Sequence, residues 1–347
     1  MTQNVRGGLV GYGLSGSTFH APIIKGAGLE LRAVVTSRAE TVQAEQSEAE
    51  PLARLEDLTA RADIDLVVIA TPHALHHEQA LLSIEAGKHV VIDKPFAVSA
   101  ENARQVFAAA EKKGVLVTAY HNRRWDADFL TVRRLLADGD LGELMEIELL
   151  WQGFRPNLQD RWQDQQGPGA GILWGLGPHM IDQLLLLWGK PDWLQADLAA
   201  QRGSGAPDDT FFIRCGFGQR RASVTAGALV TANATRYRLH GLEGSFIKAG
   251  FDRQEPQLRA GIGPGHPDFG VEPEKQWGSI TRADGRTETV TSAAGSWVSF
   301  YQQMAAAIVE GRPVPVAPED VLEGIDLIEA AIASHEQGRR IDFSSDS

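Results

Sequence analysis

The sequence predicts an α/β chain: an N-terminal doubly wound parallel sheet, then an α+β domain built on an open, mainly antiparallel sheet. Three observations predict it. Short apolar runs alternate with helix-like segments from Val5 to Ala119, the pattern of a parallel sheet covered on both faces. A glycine-rich turn, Gly11-Tyr12-Gly13-Leu14-Ser15-Gly16, separates the first apolar run from the first helix-like segment. Beyond Asn122 the alternation stops and strand-like runs follow one another directly.

In the first part, the runs Val5 to Val10, Leu31 to Val35, Leu66 to Ala70, His89 to Ile92 and Val115 to Ala119 read as buried parallel strands. Ser17 to Lys25, Thr41 to Glu48, His76 to Glu85 and Ser99 to Lys113 read as the helices between them, the last opening on a serine cap and closing at Gly114. In the second part, helices are expected near Asp126 to Leu136 and Ile172 to Leu187, and strands at Leu144 to Trp151, Trp193 to Gln201, Phe211 to Phe217, Ala222 to Ala228, Tyr237 to His240 and Ser245 to Lys248. Gln254 to Trp277, rich in Gly and Pro, reads as a long surface loop, and Trp297 to Glu310 and Pro318 to Gln337 as closing helices. The length of 347 residues suits two cores, divided here as residues 1–123 and 124–347.

Composition narrows the function. Hydrophobic residues make up 43% and charged residues 22%, the balance of a globular protein rather than a disordered one. No apolar run is long enough to span a bilayer, and Met1 to Arg6 carry no apolar leader, so neither a membrane nor an export route is expected and the cytoplasm is the expected location. With 33 Lys and Arg against 45 Asp and Glu, the formal charge of −12 disfavours a nucleic-acid partner. The lone Cys215 has no second cysteine for a disulfide or a zinc pair.

The glycine turn carries the first functional signal. A G-x-G-x-x-G placed between a strand and a helix is the dinucleotide fingerprint: Gly11 permits the turn, Gly13 lets the backbone approach a pyrophosphate, and Gly16 allows close packing. Tyr12, Leu14 and Ser15 complete the loop, whose free N–H groups attract phosphates. An NAD site would place an acid at the end of the second strand, to bond the ribose 2′-hydroxyl. Here the strand ends Val34-Val35-Thr36-Ser37-Arg38, so Ser37 and Arg38 suit the 2′-phosphate of NADP(H) instead.

Two further motifs sit at carboxyl ends of strands, where open α/β sheets bind ligands: Thr71-Pro72-His73-Ala74-Leu75-His76 and Asp93-Lys94-Pro95. With Asn122-Arg123-Arg124 and Gly177-Pro178-His179-Met180-Ile181-Asp182, they make the chain resemble, over nearly its whole length, the glucose-fructose oxidoreductase, inositol dehydrogenase and rhizopine catabolism (Gfo/Idh/MocA) family. That family usually has Glu-Lys-Pro where this chain has Asp93-Lys94-Pro95. Within the family the chain is most similar to the NADP-dependent inositol dehydrogenase branch, on Gly11 to Ser17, Thr36-Ser37-Arg38, Tyr120 to Asp126 and Arg155-Pro156.

The resemblance implies a Rossmann nucleotide domain. It also implies that Thr71, Pro72, His73 and His76 line the nicotinamide side with Asp93 and Lys94, that the peptide before Pro95 is cis, and that the second sheet pairs subunits into a homodimer or homotetramer. His73, His76 and His77 share a helix face, but with no Cys or carboxylate partner nearby no metal is expected.

Moving a hydride at a secondary alcohol needs a base for the hydroxyl proton and a positive charge for the developing alkoxide. His179 fits the first role and Lys94 the second, with Asp182 one helical turn after His179 to orient the ring. Asn122, Arg155, Asp160 and Trp162 are candidate substrate contacts for a sugar or cyclitol. One departure stands out: Gly175 occupies the place, four residues before the histidine, where the family usually carries a substrate-contacting Asp. Two other functions stay open, glycoside cleavage with a retained nicotinamide and NADP sensing without turnover.

Overall fold

The structure, a computed structural model, describes residues 5–159, 164–232 and 235–343. Its contacts divide the chain into two compact units. The first takes in Met1–Trp125, Gln254–Phe269 and Ser296–Leu322, and the second Asp126–Arg253, Gly270–Gly295 and Glu323–Ser347.

In the first unit, β1 (Arg6–Val10), β2 (Glu30–Val35), β3 (Glu50–Leu52), β4 (Leu66–Ile69), β5 (His89–Ile92) and β6 (Val117–Ala119) form one sheet in the order β3-β2-β1-β4-β5-β6. Every pairing in it is parallel. Strand β4, Leu-Val-Val-Ile, is buried on both faces, as a central parallel strand of branched residues must be. Burying one such side chain contributes roughly 1.5–3 kcal/mol. The order reverses between β1 and β4, so the turns that follow these two strands lie side by side at the switch point where such sheets bind ligands.

Connecting helices are α1 (Ala21–Gly26), α2 (Ala39–Glu45), α3 (Leu55–Thr59), α4 (His76–Glu85) and α5 (Ala100–Lys113). The helical run reaching α1 begins at Ser15 as a π turn, Ser15–His20. Ser99 caps α5 by accepting the Asn102 N–H at 3.2 Å, and Gly114 ends it with φ 70°, the left-handed conformation that glycine adopts without strain.

The second unit holds α6 (Ala127–Ala137), α7 (Gly171–Trp188) and a nine-stranded sheet: β7 (Leu144–Gln152), β8 (Trp193–Ala199), β9 (Thr210–Phe217), β10 (Arg220–Gly227), β11 (Thr235–Gly241), β12 (Gly244–Ala249), β13 (Gly278–Arg282), β14 (Thr287–Val290) and β15 (Ile341–Asp342). The order is β14-β13-β12-β11-β7-β10-β9-β8-β15. All pairings are antiparallel except β7 with β10, which run parallel at its centre. Helix α7 lies against β7, β9 and β10. Its start is fixed by Asp208, whose carboxylate accepts the Leu173 N–H at 2.7 Å and whose carbonyl accepts the Ile172 N–H at 2.8 Å.

Three further helices are α8 (Gln254–Arg259), α9 (Val298–Glu310) and α10 (Pro318–Gln337). Helix α8 corrects the expectation of an unbroken surface loop from Gln254 to Trp277. Gln254 is wholly buried, its side chain accepting the Trp297 N–H at 2.7 Å and donating to the Trp125 carbonyl at 3.2 Å. Such bonds hold a short polar helix that propensity alone does not announce.

Candidate active site

The glycine loop has the geometry its sequence calls for. Gly11 follows β1 with φ 94°, and a Cβ there would stand 2.7 Å from the Ala70 carbonyl oxygen beyond β4. A Cβ on Gly16 would collide with the Gly11 carbonyl oxygen, so the helical run packs directly on the turn. A Cβ on Gly13 would meet nothing within 4 Å. That open face, beside the start of a helical run, is where a pyrophosphate fits, so the loop suits a dinucleotide. Leu14 is exposed, whereas Tyr12 is buried and its hydroxyl donates to Glu45 at 3.0 Å. Burial pushes the Tyr12 phenol up to about 12.

Ser37 and Arg38 are exposed beyond β2, and the Arg38 guanidinium donates to the Tyr12 carbonyl. The Arg38 amide donates to Thr36 Oγ1 at 3.0 Å. No carboxylate follows Val35 before Glu40. An arginine folded back on the glycine loop leaves a cation at the end of β2, where an NAD site presents an acid.

Beyond β4 and β5 the structure brings most of the remaining first-unit candidates together. His76 is fully buried and lies between two loops, Nε2 2.9 Å from the Thr71 carbonyl and Nδ1 2.9 Å from the Pro95 carbonyl. Two acceptors favour an imidazolium, but burial outweighs them and pushes His76 below its ordinary 6.5. The His73 ring stands 5.6 Å from that of His76, Pro72 is exposed, and Thr71 Oγ1 donates to Gln79 at 2.6 Å. The Lys94–Pro95 peptide is cis, as the resemblance implies.

Asp93 accepts from the Ser15 hydroxyl at 2.5 Å and from the Lys94 amide at 2.8 Å. Burial alone would push its pKa up, but His20, the Lys94 ammonium and Ser15 outweigh burial and hold the carboxyl well below the usual range. Burial pushes the Lys94 ammonium the other way, down from 10.5, with Arg123 adding to the effect and Asp93 and Glu255 opposing it. Asn122 is buried in the 3₁₀ turn Asn122–Trp125, next to Arg123, which pairs with Glu255 and lies over the Trp297 ring at 4.9 Å.

In the second unit, His179 and Asp182 are both buried on α7, one turn apart. The His179 ring lies near parallel to Trp151, with centroids 6.3 Å apart. On Trp151 also rests Arg236, its guanidinium carbon 4.7 Å from the ring centroid. This arginine is fully buried and donates to Gln183 on α7 at 2.7 Å, while Tyr237 donates to the same oxygen at 2.9 Å. Asp128 faces it, Oδ2 lying 3.6 Å from the Arg236 Nε. A register shift between Thr235 and Tyr237 lets Arg236 and Tyr237 both turn inward, and an arginine in a strand gives no sequence sign of that. A Cβ on Gly175 would meet open space. Arg155 is exposed, and Asp160 and Trp162 lie outside the described residues.

Comparison with known proteins decides the family. Residues 5–121 match the model of the oxidoreductase family, NAD-binding Rossmann fold, and residues 133–343 match that of the oxidoreductase family, C-terminal alpha/beta domain. The chain belongs to the Gfo/Idh/MocA oxidoreductase family. Among its relatives in that family, scyllo-inositol 2-dehydrogenase (NADP(+)) of Bacillus subtilis is 39% identical over 98% of this chain and 96% of the relative. An uncharacterized oxidoreductase of Escherichia coli is 38% identical over 96% of this chain and 97% of the relative. A solved structure described as an oxidoreductase of Bacillus subtilis superposes with a TM-score of 0.96 at 38% identity, covering 99% of both chains.

The Gfo/Idh/MocA assignment agrees with both sheets and with the nucleotide-binding character of the first. Among the described residues no group of three His, Cys, Asp or Glu is arranged to hold a metal ion, and no helix is long and apolar enough to cross a membrane. Sequence reasoning missed His20, Tyr301 and Arg236. A histidine in the apolar stretch Phe19-His20-Ala21 is the one signal that pointed to any of them.

Proposed function

We propose that this Gfo/Idh/MocA oxidoreductase uses NADP(H) to move a hydride reversibly between the nicotinamide and a secondary alcohol or ketone carbon of a cyclitol or sugar. The observation that carries the reading is a glycine loop with an open face at Gly13, bordered by Arg38 where an NAD site has an acid. Similarity to the NADP(+)-dependent scyllo-inositol dehydrogenase along both units supports the substrate class.

Gly11 to Gly16 hold the pyrophosphate, Ser37 and Arg38 the 2′-phosphate, and Thr71, Pro72, His73, His76 and Asp93 the nicotinamide end. A nicotinamide bound there would supply the hydride acceptor for the alcohol carbon and, in the reverse direction, the hydride donor for the ketone. His179 takes the hydroxyl proton on a ring nitrogen, and Asp182 orients that ring. The Lys94 ammonium donates to the substrate oxygen as negative charge grows on it. Asn122, Arg155, Asp160 and Trp162 contact the polyol. The chain divides functionally into nucleotide binding in residues 1–123 and substrate binding with homodimer or homotetramer formation in 124–347, and it works in the cytoplasm.

The test is nicotinamide absorbance with both cofactors across inositols, sugars and their ketones. Turnover with NADP(H) exceeding that with NAD(H) supports the reading. Binding of NADPH with no turnover on any substrate would leave a sensor instead.

A further inference from the structure

Asp93 follows β5 with both carboxylate oxygens committed. Oδ2 accepts from the Ser15 hydroxyl at 2.5 Å and Oδ1 from the Lys94 amide at 2.8 Å. Hydroxyl-to-carboxylate bonds this short are among the stronger hydrogen bonds in proteins. Behind the carboxylate stands His20, wholly buried, with Nε2 3.7 Å from Oδ2 and Nδ1 2.6 Å from the Tyr301 hydroxyl. The Tyr120 ring covers it, with centroids 4.2 Å apart. Ser15 and His20 are the two ends of the π turn that follows the glycine loop, so Asp93 meets both ends of that turn. A side chain with two dihedrals and this many fixed neighbours has few alternative rotamers. The aspartate joins the segment that would bind phosphate to the backbone that carries Lys94.

Resting on the function proposed above, we propose that Asp93 is a positioning residue that couples occupancy of the glycine loop to the placement of Lys94. Phosphate in the loop fixes the start of the helical run, Ser15 then fixes the carboxylate, and the carboxylate fixes the Lys94 amide from which the ammonium side chain is presented. His20, backed by Tyr301, keeps the carboxylate from turning away. Lys94 is then ordered for chemistry when cofactor is in place.

The test uses the full chain as wild type, S15A, S15T, D93A and S15A/D93A, with two readouts. The first is hydrogen exchange at the Lys94 amide with and without saturating NADPH. NADPH slows exchange there in the wild type and in S15T, and S15A loses that slowing although fluorescence titration shows it still saturates with NADPH. The second is kcat on an inositol. S15A lowers it ~10-fold, whereas adding S15A to D93A lowers it no further, because residues acting through one link are not additive. A serine that contacted cofactor independently would keep its ~10-fold effect in the D93A background, and that result overturns the coupling. So does NADPH-dependent protection that survives in S15A. NADPH binding by the wild type tests the function reading separately, since a chain that binds NADPH without Ser15-dependent protection refutes the coupling alone.

Discussion

A Cβ on Gly16 would overlap the carbonyl oxygen of Gly11, while one on Gly13, between them in sequence, would touch nothing. Two glycines of one motif are therefore required for different reasons. Gly16→Ala forces the helical run off the turn, and overpacking of this kind costs about 1–3 kcal/mol, lowering Tm as well as NADPH affinity. Gly13→Ala keeps the wild-type Tm and loses NADPH affinity, because its methyl occupies the space the phosphates need. Thermal unfolding and NADPH titration of the two variants check the contrast, and an unchanged affinity in Gly13→Ala removes the loop from phosphate binding.

Arg38 sets the second prediction. Losing a charged hydrogen-bonding partner costs about 1.5–3 kcal/mol, so Arg38→Ala weakens NADPH roughly 10- to 100-fold and leaves NADH nearly unchanged. Isothermal titration with both cofactors measures this. Equal losses for both would refute a role at the 2′-phosphate.

The place of Gly175 on α7 has open space around it, so Gly175→Asp folds and adds a carboxylate one turn before His179. The expected outcome is a changed rank order of kcat/KM across an inositol and sugar panel with Tm held. An unchanged order would show that substrate choice is made elsewhere.

The burial of His76 has a consequence for stability. Its folded value lies below the ordinary 6.5, so between the two values the unfolded chain binds the proton and the folded chain does not. Stability therefore falls as pH drops through about 6.5 toward the folded value, and is regained above it. Urea unfolding from pH 7 down to 5 shows this slope, and His76→Gln makes it shallower. An unaltered slope would place the lost protons on other groups.

Much of this was legible in the sequence because it is local. His89 to Ile92 and His76 to Glu85 are read residue for residue, since buried branched runs and a helix between them leave periodic patterns. Glu50–Leu52 and Leu55–Thr59 were missed, being too short for a period to register. Thr287–Val290 at the edge of the second sheet was missed as well, for it carries no buried face. The parallel pairing of β7 with β10 joins residues 75 positions apart, as Arg221 with Glu146, and no local pattern reports partners at that distance. At the site, the residue types of the glycine loop, Lys94 and His179 announce themselves, whereas the Ser15–Asp93 bond and the inward Arg236 depend on tertiary packing.

The proposed reaction transfers hydrogen from substrate carbon to NADP(+), with Lys94 taking part. The direct measurement incubates the protein with NADP(+) and scyllo-inositol deuterated at its ring carbons, then weighs the nicotinamide product by mass spectrometry. Deuterium is expected in the NADPH formed by the wild type, and turnover lower by about 10²–10⁴ in Lys94→Met, which still binds NADPH. NADPH formed without deuterium, or Lys94→Met turning over as fast as the wild type, would contradict it.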